Sequence, residues 1–293
     1  MRQFDILKLI RIKHWIKNGF VIAPVIFSLR FTDPSAIFHT LAAAFAFSFA
    51  ASFVYILNDI LDKKADAEHP VKRNRPIPSG RIPIPAAVIT AFLFLVMYGL
   101  FSFILPIEVI GIIGFYIIMN LAYSRYLKKI AILDVMIIAM GFVLRILAGI
   151  TAIAVPLSHW MLLTTFCVSL FLAFGKRRSE LDSVHINHHE KSRSVLTGYT
   201  TQLLDYFIVI TASVTMLAYA LYTIDNDVIE RLGTGSLIYT IPFVIFGIFR
   251  YMSIIFKDHS GEDPVDVVMH DIQIIITVAL WIVTVVSLLI IKP

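Results

Sequence analysis

Long apolar runs separated by short polar segments extend along nearly the whole sequence. Because a helix needs about 20 apolar residues to cross the hydrocarbon core of a bilayer, runs of this length predict transmembrane helices. Only 15% of the 293 residues are charged, whereas an average soluble domain carries about 25%. The sequence therefore predicts an all-α, polytopic membrane protein and excludes a soluble globular domain.

We predict nine transmembrane helices in a single domain that covers residues 1–293. The first is the weakest, because it is short and contains Pro24. Prolines and a Gly-rich segment mark most of the joints between spans. The predicted spans are approximately 16–30, 38–60, 84–103, 107–123, 132–153, 160–176, 201–222, 236–256 and 272–291.

Lysine and arginine are concentrated in the N-terminal segment and in the loops after spans 2, 4 and 6, while the alternate loops are nearly bare of them. Cytoplasmic loops are enriched in these residues. The alternation predicts a cell-membrane protein with a cytoplasmic N-terminus and an external C-terminus. The loops that carry the polar motifs would then share the cytoplasmic side, at about 61–83, 124–131, 175–200 and 257–271.

An acidic stripe follows the second predicted span. Asn58, Asp62 and Asp66 are spaced four residues apart, so they fall on one face of a helix, and Asp59 lies beside that face. Carboxylates held this close repel each other unless a cation lies between them. Their oxygens suit Mg²⁺, which takes one or two carboxylates together with water and substrate phosphates. The stripe is therefore a candidate magnesium site.

A basic run, "HPVKRNRPIPSG", comes directly after the acidic stripe. Guanidinium and ammonium groups bind phosphate oxygens that a metal ion does not reach. The candidate phosphate ligands in this run are Lys72, Arg73 and Arg75. The alternative is a solvated helix end, in which the acids of the stripe pair with Lys63 and Lys64.

"NDILDKKAD" followed by "KRNRPIPSG" resembles the NDxxDxxxD…RPxxSG signature of the UbiA superfamily of intramembrane prenyltransferases. The predicted arrangement, nine helices with all functional loops on one side, also resembles that family. The resemblance implies that Asn58, Asp62 and Asp66 form the catalytic Mg²⁺ and diphosphate site. It also implies diphosphate contacts from Tyr123 and Lys128, which match a YxxxxK element in "YSRYLKK". Without the resemblance, that segment is equally well a plain basic loop.

The segment after span 6, "FLAFGKRRSELDSVH", departs from the general family pattern. A typical member has a second aspartate-rich motif there. This sequence keeps two acids, Glu180 and Asp182, but places three cations before them, which are Lys176, Arg177 and Arg178. Fewer metal ligands and more phosphate contacts suit a substrate that carries a diphosphate and a further phosphate, such as 5-phosphoribosyl diphosphate.

Four dispersed segments resemble one branch of the superfamily, the decaprenyl-phosphate phosphoribosyltransferases. They are residues 11–18, 123–152, 174–181 and 261–268. The resemblance implies transfer of 5-phosphoribose from 5-phosphoribosyl diphosphate to a polyprenyl (decaprenyl) phosphate, with release of pyrophosphate, in cell-wall arabinan precursor synthesis. The alternative is a UbiA-type prenyltransferase that moves a polyprenyl group from its diphosphate to an aromatic or other acceptor. A transporter is disfavoured, because the polar residues gather at one membrane face and not at the midplane.

Three further residues are candidate substrate contacts. A charge in the middle of a span is costly and usually faces a cavity or a partner, so Arg145 either binds an anion or forms an ion pair between helices. Asp134 is a candidate acceptor for a sugar hydroxyl, an acid that orients another ligand, or a plain helix-end charge. Lys17 is a phosphate ligand by resemblance, or part of an interfacial helix.

Two other clusters are weaker. His185, His188 and His189 lack a clear further ligand for zinc, so we expect a hydrated loop there. No role follows from the acids of the last cytoplasmic loop, among them Asp271. We expect membrane lipids and no nucleic acid as partners, and a homo-oligomer is compatible with the sequence.

Overall fold

A computed structural model describes residues 3–68, 72–186, 194–258, 267–268 and 270–291. These residues form α-helices joined by short 3-10 segments and turns, and none of them lies in a strand. The all-α prediction is therefore confirmed. The helices are α1 (Gln3–Leu9), α2 (Gly19–Phe27), α3 (Pro34–Leu61), α4 (Lys63–Glu68), α5 (Ile84–Leu100), α6 (Ile107–Arg125), α7 (Leu133–Ala152), α8 (His159–Ile186), α9 (Thr201–Ile224), α10 (Asn226–Leu232), α11 (Ile241–Asp258) and α12 (Ile272–Ile291).

In the described chain, eight segments are long and apolar enough to cross a membrane, by length and composition. They agree with eight of the nine predicted spans to within a few residues. These segments are Pro34–Leu61, Ile84–Phe103, Ile107–Arg125, Leu133–Ala152, His159–Asp182, Thr201–Ile224, Ser236–Lys257 and Ile272–Ile290.

The first predicted span, 16–30, is not one continuous helix. A 3-10 segment of seven residues, Ile12–Asn18, leads into α2, which has nine. Together they are about 28 Å long, close to the thickness of the hydrocarbon core. Trp15 donates to Ser52 and Asn18 donates to Ser48, so this segment runs antiparallel along α3. The segment thus has the length of a span without being a single helix.

The chain divides into two compact units. The first comprises Met1–Val25, Arg30–Lys128 and Leu144–Val155, and the second comprises Ile26–Leu29, Lys129–Val143 and Pro156–Pro293. Helix α7 therefore contributes its beginning to the second unit and its end to the first.

Small side chains allow the helices of the first unit to pack closely. Ala43, Ala46 and Ala50 on α3 are fully buried in the core of this unit. At Gly149 on α7, an added Cβ would lie 2.2 Å from the carbonyl oxygen of Val21 on α2. Only glycine permits that approach, because a real Cβ never comes so near to a backbone oxygen.

The second unit has its own apolar core, built mainly from α8, α9 and α11. Phe171 and Phe174 of α8 pack with Ile208 of α9 and Tyr251 of α11. Helix α8 continues to Ile186, so residues 175–182 are helical. The prediction of a loop that begins at residue 175 is therefore wrong for the residues up to Ile186. The charges there form ion pairs at helical spacing.

Candidate active site

The acidic stripe lies where α3 gives way to α4. The backbone N–H of Asp62 donates to the carbonyl of Asn58 at 2.9 Å, and that of Asp66 donates to the carbonyl of Asp62 at 2.8 Å. These bonds maintain helical register across the junction. Asn58 and Asp62 are half-buried and Asp66 is buried. The predicted placement of the three residues along one helical stripe is therefore present in the structure.

Asp62 is paired with Lys128, which lies in the 3-10 segment Leu127–Lys129 after α6. The ammonium Nζ donates to both carboxylate oxygens, at 2.7 and 2.8 Å. The two side chains are 27% and 29% exposed. Water therefore reaches both charges of this pair.

Asp59 and Asp66 share one arginine. Arg75 Nη1 donates to Asp66 Oδ2 at 2.7 Å and to Asp59 Oδ1 at 3.1 Å. Arg11 Nη2 also donates to Asp59 Oδ1, at 2.5 Å. With 3% of its side chain exposed, Asp59 is a buried anchor for two guanidinium groups.

Arg11 is a residue that sequence reasoning missed. Its guanidinium also lies 4.9 Å from the centroid of the Tyr55 ring, a cation–π geometry. Its backbone is left-handed, with φ 52°, which is unfavourable for a side-chain-bearing residue. The available signal was the basic segment 11–18, which contains it.

The "RPIPSG" segment forms a turn. Apolar residues in and after it pack against helices of the first unit. Ile77 and Ile82 are buried with residues of α3 and α5. Ser79 Oγ donates to the carbonyl of Arg75 at 2.6 Å. Gly80 has φ 75°, which glycine adopts without strain. This turn holds the backbone of Arg75 in place beside the acids. Lys72 is half-buried and Arg73 exposed in the preceding 3-10 segment Lys72–Asn74.

Among the described residues, no three His, Cys, Asp or Glu side chains form a metal cluster. The stripe instead offers one amide and two carboxylates, from Asn58, Asp62 and Asp66. Mg²⁺ commonly uses one or two carboxylates and completes its coordination with water and phosphate oxygens. Positive charge already lies against both carboxylates, from Lys128 and Arg75. Oxygen donors that gather cations in this way fit Mg²⁺.

Arg145, near the middle of α7, is buried in the first unit. Its Nε donates to Asn18 Oδ1 at 2.9 Å, and its Nη2 lies 3.4 Å from the hydroxyl of Tyr116. The guanidinium lies 4.7 Å from the Phe47 ring centroid. These described partners are not carboxylates. Lys17 and Tyr123, the other predicted contacts in this unit, are half-buried.

A second charged cluster lies in the second unit and is centred on Asp134. This carboxylate has no exposure and accepts from Arg177 Nε at 2.7 Å and from the Tyr199 hydroxyl at 2.8 Å. The Tyr199 oxygen in turn accepts from the backbone N–H of Ile132 at 2.5 Å. Burial raises the pKa of the Tyr199 phenol, so this group remains a proton donor. Sequence reasoning missed Tyr199.

The two arginines of "GKRRSEL" each pair with two carboxylates. Arg177 Nη1 donates to Glu180 at 2.5 Å. Arg178 donates to Asp182 and, at 2.8 Å, to Asp205. The side chains of Arg177 and Arg178 are 3% and 8% exposed. Asp205, on α9, is a further partner that sequence reasoning missed, because it lies 27 residues away.

Residues 20–270 match the UbiA prenyltransferase family. This chain belongs to that family. It is thus a transferase of the UbiA type and a multi-pass membrane protein.

Relatives of this UbiA chain cover almost its full length. It is 32% identical to the decaprenyl-phosphate phosphoribosyltransferase of Mycobacterium tuberculosis (strain CDC 1551 / Oshkosh), over 96% of this chain and 92% of the relative. The protein of the same name from Mycolicibacterium smegmatis is 33% identical, over 96% and 91%. A UbiA homologue from Archaeoglobus fulgidus, solved with DMAPP and Mg²⁺, superposes with a TM-score of 0.72 at 18% identity, over 96% of this chain and 98% of that one. The superposition supports the predicted UbiA fold.

Other predicted groups of this UbiA protein fall partly outside the described residues, among them His188, His189 and the side chain of His185. The first acids of the last loop are outside as well. Asp271 is described: it accepts from Arg250 Nη2 at 2.7 Å and caps α12 through the N–H of Ile274 at 2.9 Å. The bond from Arg250 holds the pKa of Asp271 below its usual value.

Proposed function

We propose that this chain transfers 5-phosphoribose from 5-phosphoribosyl diphosphate to a polyprenyl phosphate, with release of pyrophosphate. The observation that carries the proposal is the near-full-length similarity to relatives named decaprenyl-phosphate phosphoribosyltransferase. The reaction class is then pentosyl transfer. We also propose that the product serves cell-wall precursor synthesis, and that the N-terminus is cytoplasmic and the C-terminus external.

We propose that Asn58, Asp62 and Asp66 hold Mg²⁺. When bound, the ion neutralises charge on the donor's diphosphate and makes it a better leaving group. The two carboxylates and one amide leave coordination positions for phosphate oxygens, as this ion prefers. Asp59 stays with Arg11 and Arg75 and positions the second of these beside the diphosphate.

The cations around the stripe would bind the remaining phosphate oxygens. Lys128 and Arg75 already lie within hydrogen-bond distance of the acids. Lys72 and Arg73 come shortly before Arg75 in the sequence. Charge-assisted hydrogen bonds from such groups orient a diphosphate strongly. These residues therefore position the leaving group.

The chemical step needs no strong base in this proposal. A phosphate monoester is already anionic at neutral pH, so an oxygen of the lipid phosphate attacks the anomeric carbon directly. The bond from that carbon to the diphosphate breaks, and pyrophosphate leaves with the electron pair. Positioning and charge neutralisation by the chain's own cations would carry the rate. The isoprenoid tail would remain in the bilayer.

The other predicted contacts divide by their surroundings. We propose that half-buried cations such as Lys17 and Lys176, with Tyr123 and Arg145, contribute to substrate binding. Arg177 and Arg178 are buried against carboxylates, so we propose that they position Asp134, Glu180 and their helices instead of binding the 5-phosphate directly.

A transfer assay on purified protein tests the proposal. Wild type would be incubated with Mg²⁺, polyprenyl phosphate and 5-phosphoribosyl diphosphate labelled in the ribose. We expect label in the lipid fraction, lost with Asp62→Ala and retained with Asp227→Ala, which removes an exposed acid of α10. Turnover of a polyprenyl diphosphate with an aromatic acceptor, and no ribose transfer, would favour the prenyltransferase alternative.

A further inference from the structure

Two of the three proposed metal ligands already hold a positive side chain. Lys128 occupies both oxygens of Asp62, and Arg75 occupies one oxygen of Asp66. A divalent cation and an ammonium group repel each other and compete for the same oxygen lone pairs. Metal binding at Asp62 therefore requires Lys128 to move.

The exposure of the Lys128–Asp62 pair permits that movement. Both side chains are more than a quarter exposed, and pairs of this kind contribute little net free energy because water solvates the separated charges. Lysine also has a flexible stem and three donors that can turn to a new acceptor. The pair is thus poised to open at low cost.

Arg75 differs from Lys128, because it has a second, permanent partner. When Asp66 turns to the metal, Arg75 can keep its bond to buried Asp59. The guanidinium of Arg75 then stays beside the site. The carboxylate that Lys128 contacts is Asp62, which is itself a proposed metal ligand. The exchange of partners is therefore expected chiefly at Lys128.

We propose that Lys128 is an exchangeable counter-ion: it neutralises Asp62 while the metal is absent and binds diphosphate oxygens once the metal has displaced it. This inference rests on the proposed metal site. The metal alone binds weakly, because it must expel the ammonium group. Diphosphate offers the displaced lysine a new partner, so each ligand strengthens the binding of the other, as linkage requires.

The decisive experiment measures Mn²⁺ binding to the purified full chain by electron paramagnetic resonance, with no diphosphate present. We expect Lys128→Gln to bind Mn²⁺ about three- to tenfold more tightly than wild type, in keeping with release from a part-exposed ion pair. Lys129→Gln removes a neighbouring, exposed charge and should change the affinity less than about twofold. Lys128→Arg, which can still pair with Asp62, should restore the weak binding of wild type.

In a second titration, the same variant should lose affinity where it gained affinity for Mn²⁺ in the first. With Mg²⁺ in excess, pyrophosphate should bind Lys128→Gln about tenfold more weakly than wild type, because one charge-assisted bond is lost. A lysine that only binds phosphate would weaken pyrophosphate and leave Mn²⁺ unchanged. A lysine that only supports the fold would weaken both.

Two results would overturn the inference, and they are distinguishable. If Mn²⁺ binding depends on Asp62 but Lys128→Gln binds no more tightly than wild type, the exchange is wrong and the proposed metal site stands. If Asp62→Asn leaves Mn²⁺ binding unchanged, the metal site itself is wrong and the exchange falls with it. Size-exclusion profiles and melting temperatures of each variant would establish that the compared proteins are folded.

Discussion

The first charged cluster consists of Asp59, Asp62, Asp66 and the cations that pair with them. The first cluster and the second cluster, around Asp134, both pair acidic with basic residues but differ in burial. In the first unit, Lys128 and Asp62 form a pair that is 27% and 29% exposed. In the second unit, Arg177 and Asp134 form a pair that is 3% and 0% exposed. Water can replace either partner in the first pair but not in the second. Burial thus separates ion pairs that can change partners from ion pairs that hold helices in place.

The largest effect should come from breaking the buried pair. Removing one partner strands a charge in the interior, at a cost of about 3–5 kcal/mol. We expect Asp134→Ala to lower the free energy of unfolding by about that amount, measured by denaturant titration in detergent. The exposed control Asp227→Ala should stay within about 0.5 kcal/mol of wild type.

A double variant sharpens this test. Asp134→Leu with Arg177→Met removes both charges, so it should recover much of the stability that the single change loses. If Asp134→Ala abolished transfer and left stability unchanged, Asp134 would be a direct substrate contact, and the comparison between the clusters would fail.

At Asp62 we expect the reverse pattern. Asp62→Asn should reduce transfer about a hundredfold or more, because a metal ligand and its charge are lost. Its free energy of unfolding should change by less than about 1 kcal/mol, since the pair with Lys128 is part-exposed. A variant that melts well below wild type would assign Asp62 to the structural class instead.

Asp59 should lie between the two extremes, because it is buried but belongs to the first cluster. Asp59→Asn retains the shape and removes the charge that Arg11 and Arg75 share. We expect a loss of about 1–3 kcal/mol in stability and a rise in KM for the diphosphate donor. Arg73→Gln changes an exposed cation close to Arg75 in the sequence. It should raise KM without changing stability, and so it separates the two measurements.

The smallest effect is expected for the pair between Arg250 and Asp271, and it depends on pH. The folded pKa of Asp271 lies below its unfolded value of about 3.8. Its contribution to stability is therefore present above that value and is lost as pH falls through the folded pKa. Asp271→Asn should lower the melting temperature at pH 6, and should lower it less at pH ~2. An equal difference at both values would mean that the charge of Asp271 contributes nothing.

Some features of the site followed directly from the sequence. The register of Asn58, Asp62 and Asp66 depends on helical periodicity, which is local and survives the junction between α3 and α4. The pairing of Arg177 with Asp134 does not have that property, because the two residues are 43 positions apart. The same is true of Arg11, whose partner Asp59 is 48 positions away. Neither pair has a signal in the spacing of its residues.

The sequence alone determined the all-α membrane class, most span boundaries, the acidic stripe and the family resemblance. These depend on hydrophobicity and spacing over short windows, where each residue carries its own signal. Tertiary structure decided that α8 continues through residues 175–186, that α2 is only half a span, and which cation meets which carboxylate. Burial of a charge depends on residues far apart in the chain, so only the packed helices separate the exchangeable Lys128 from the fixed Arg177.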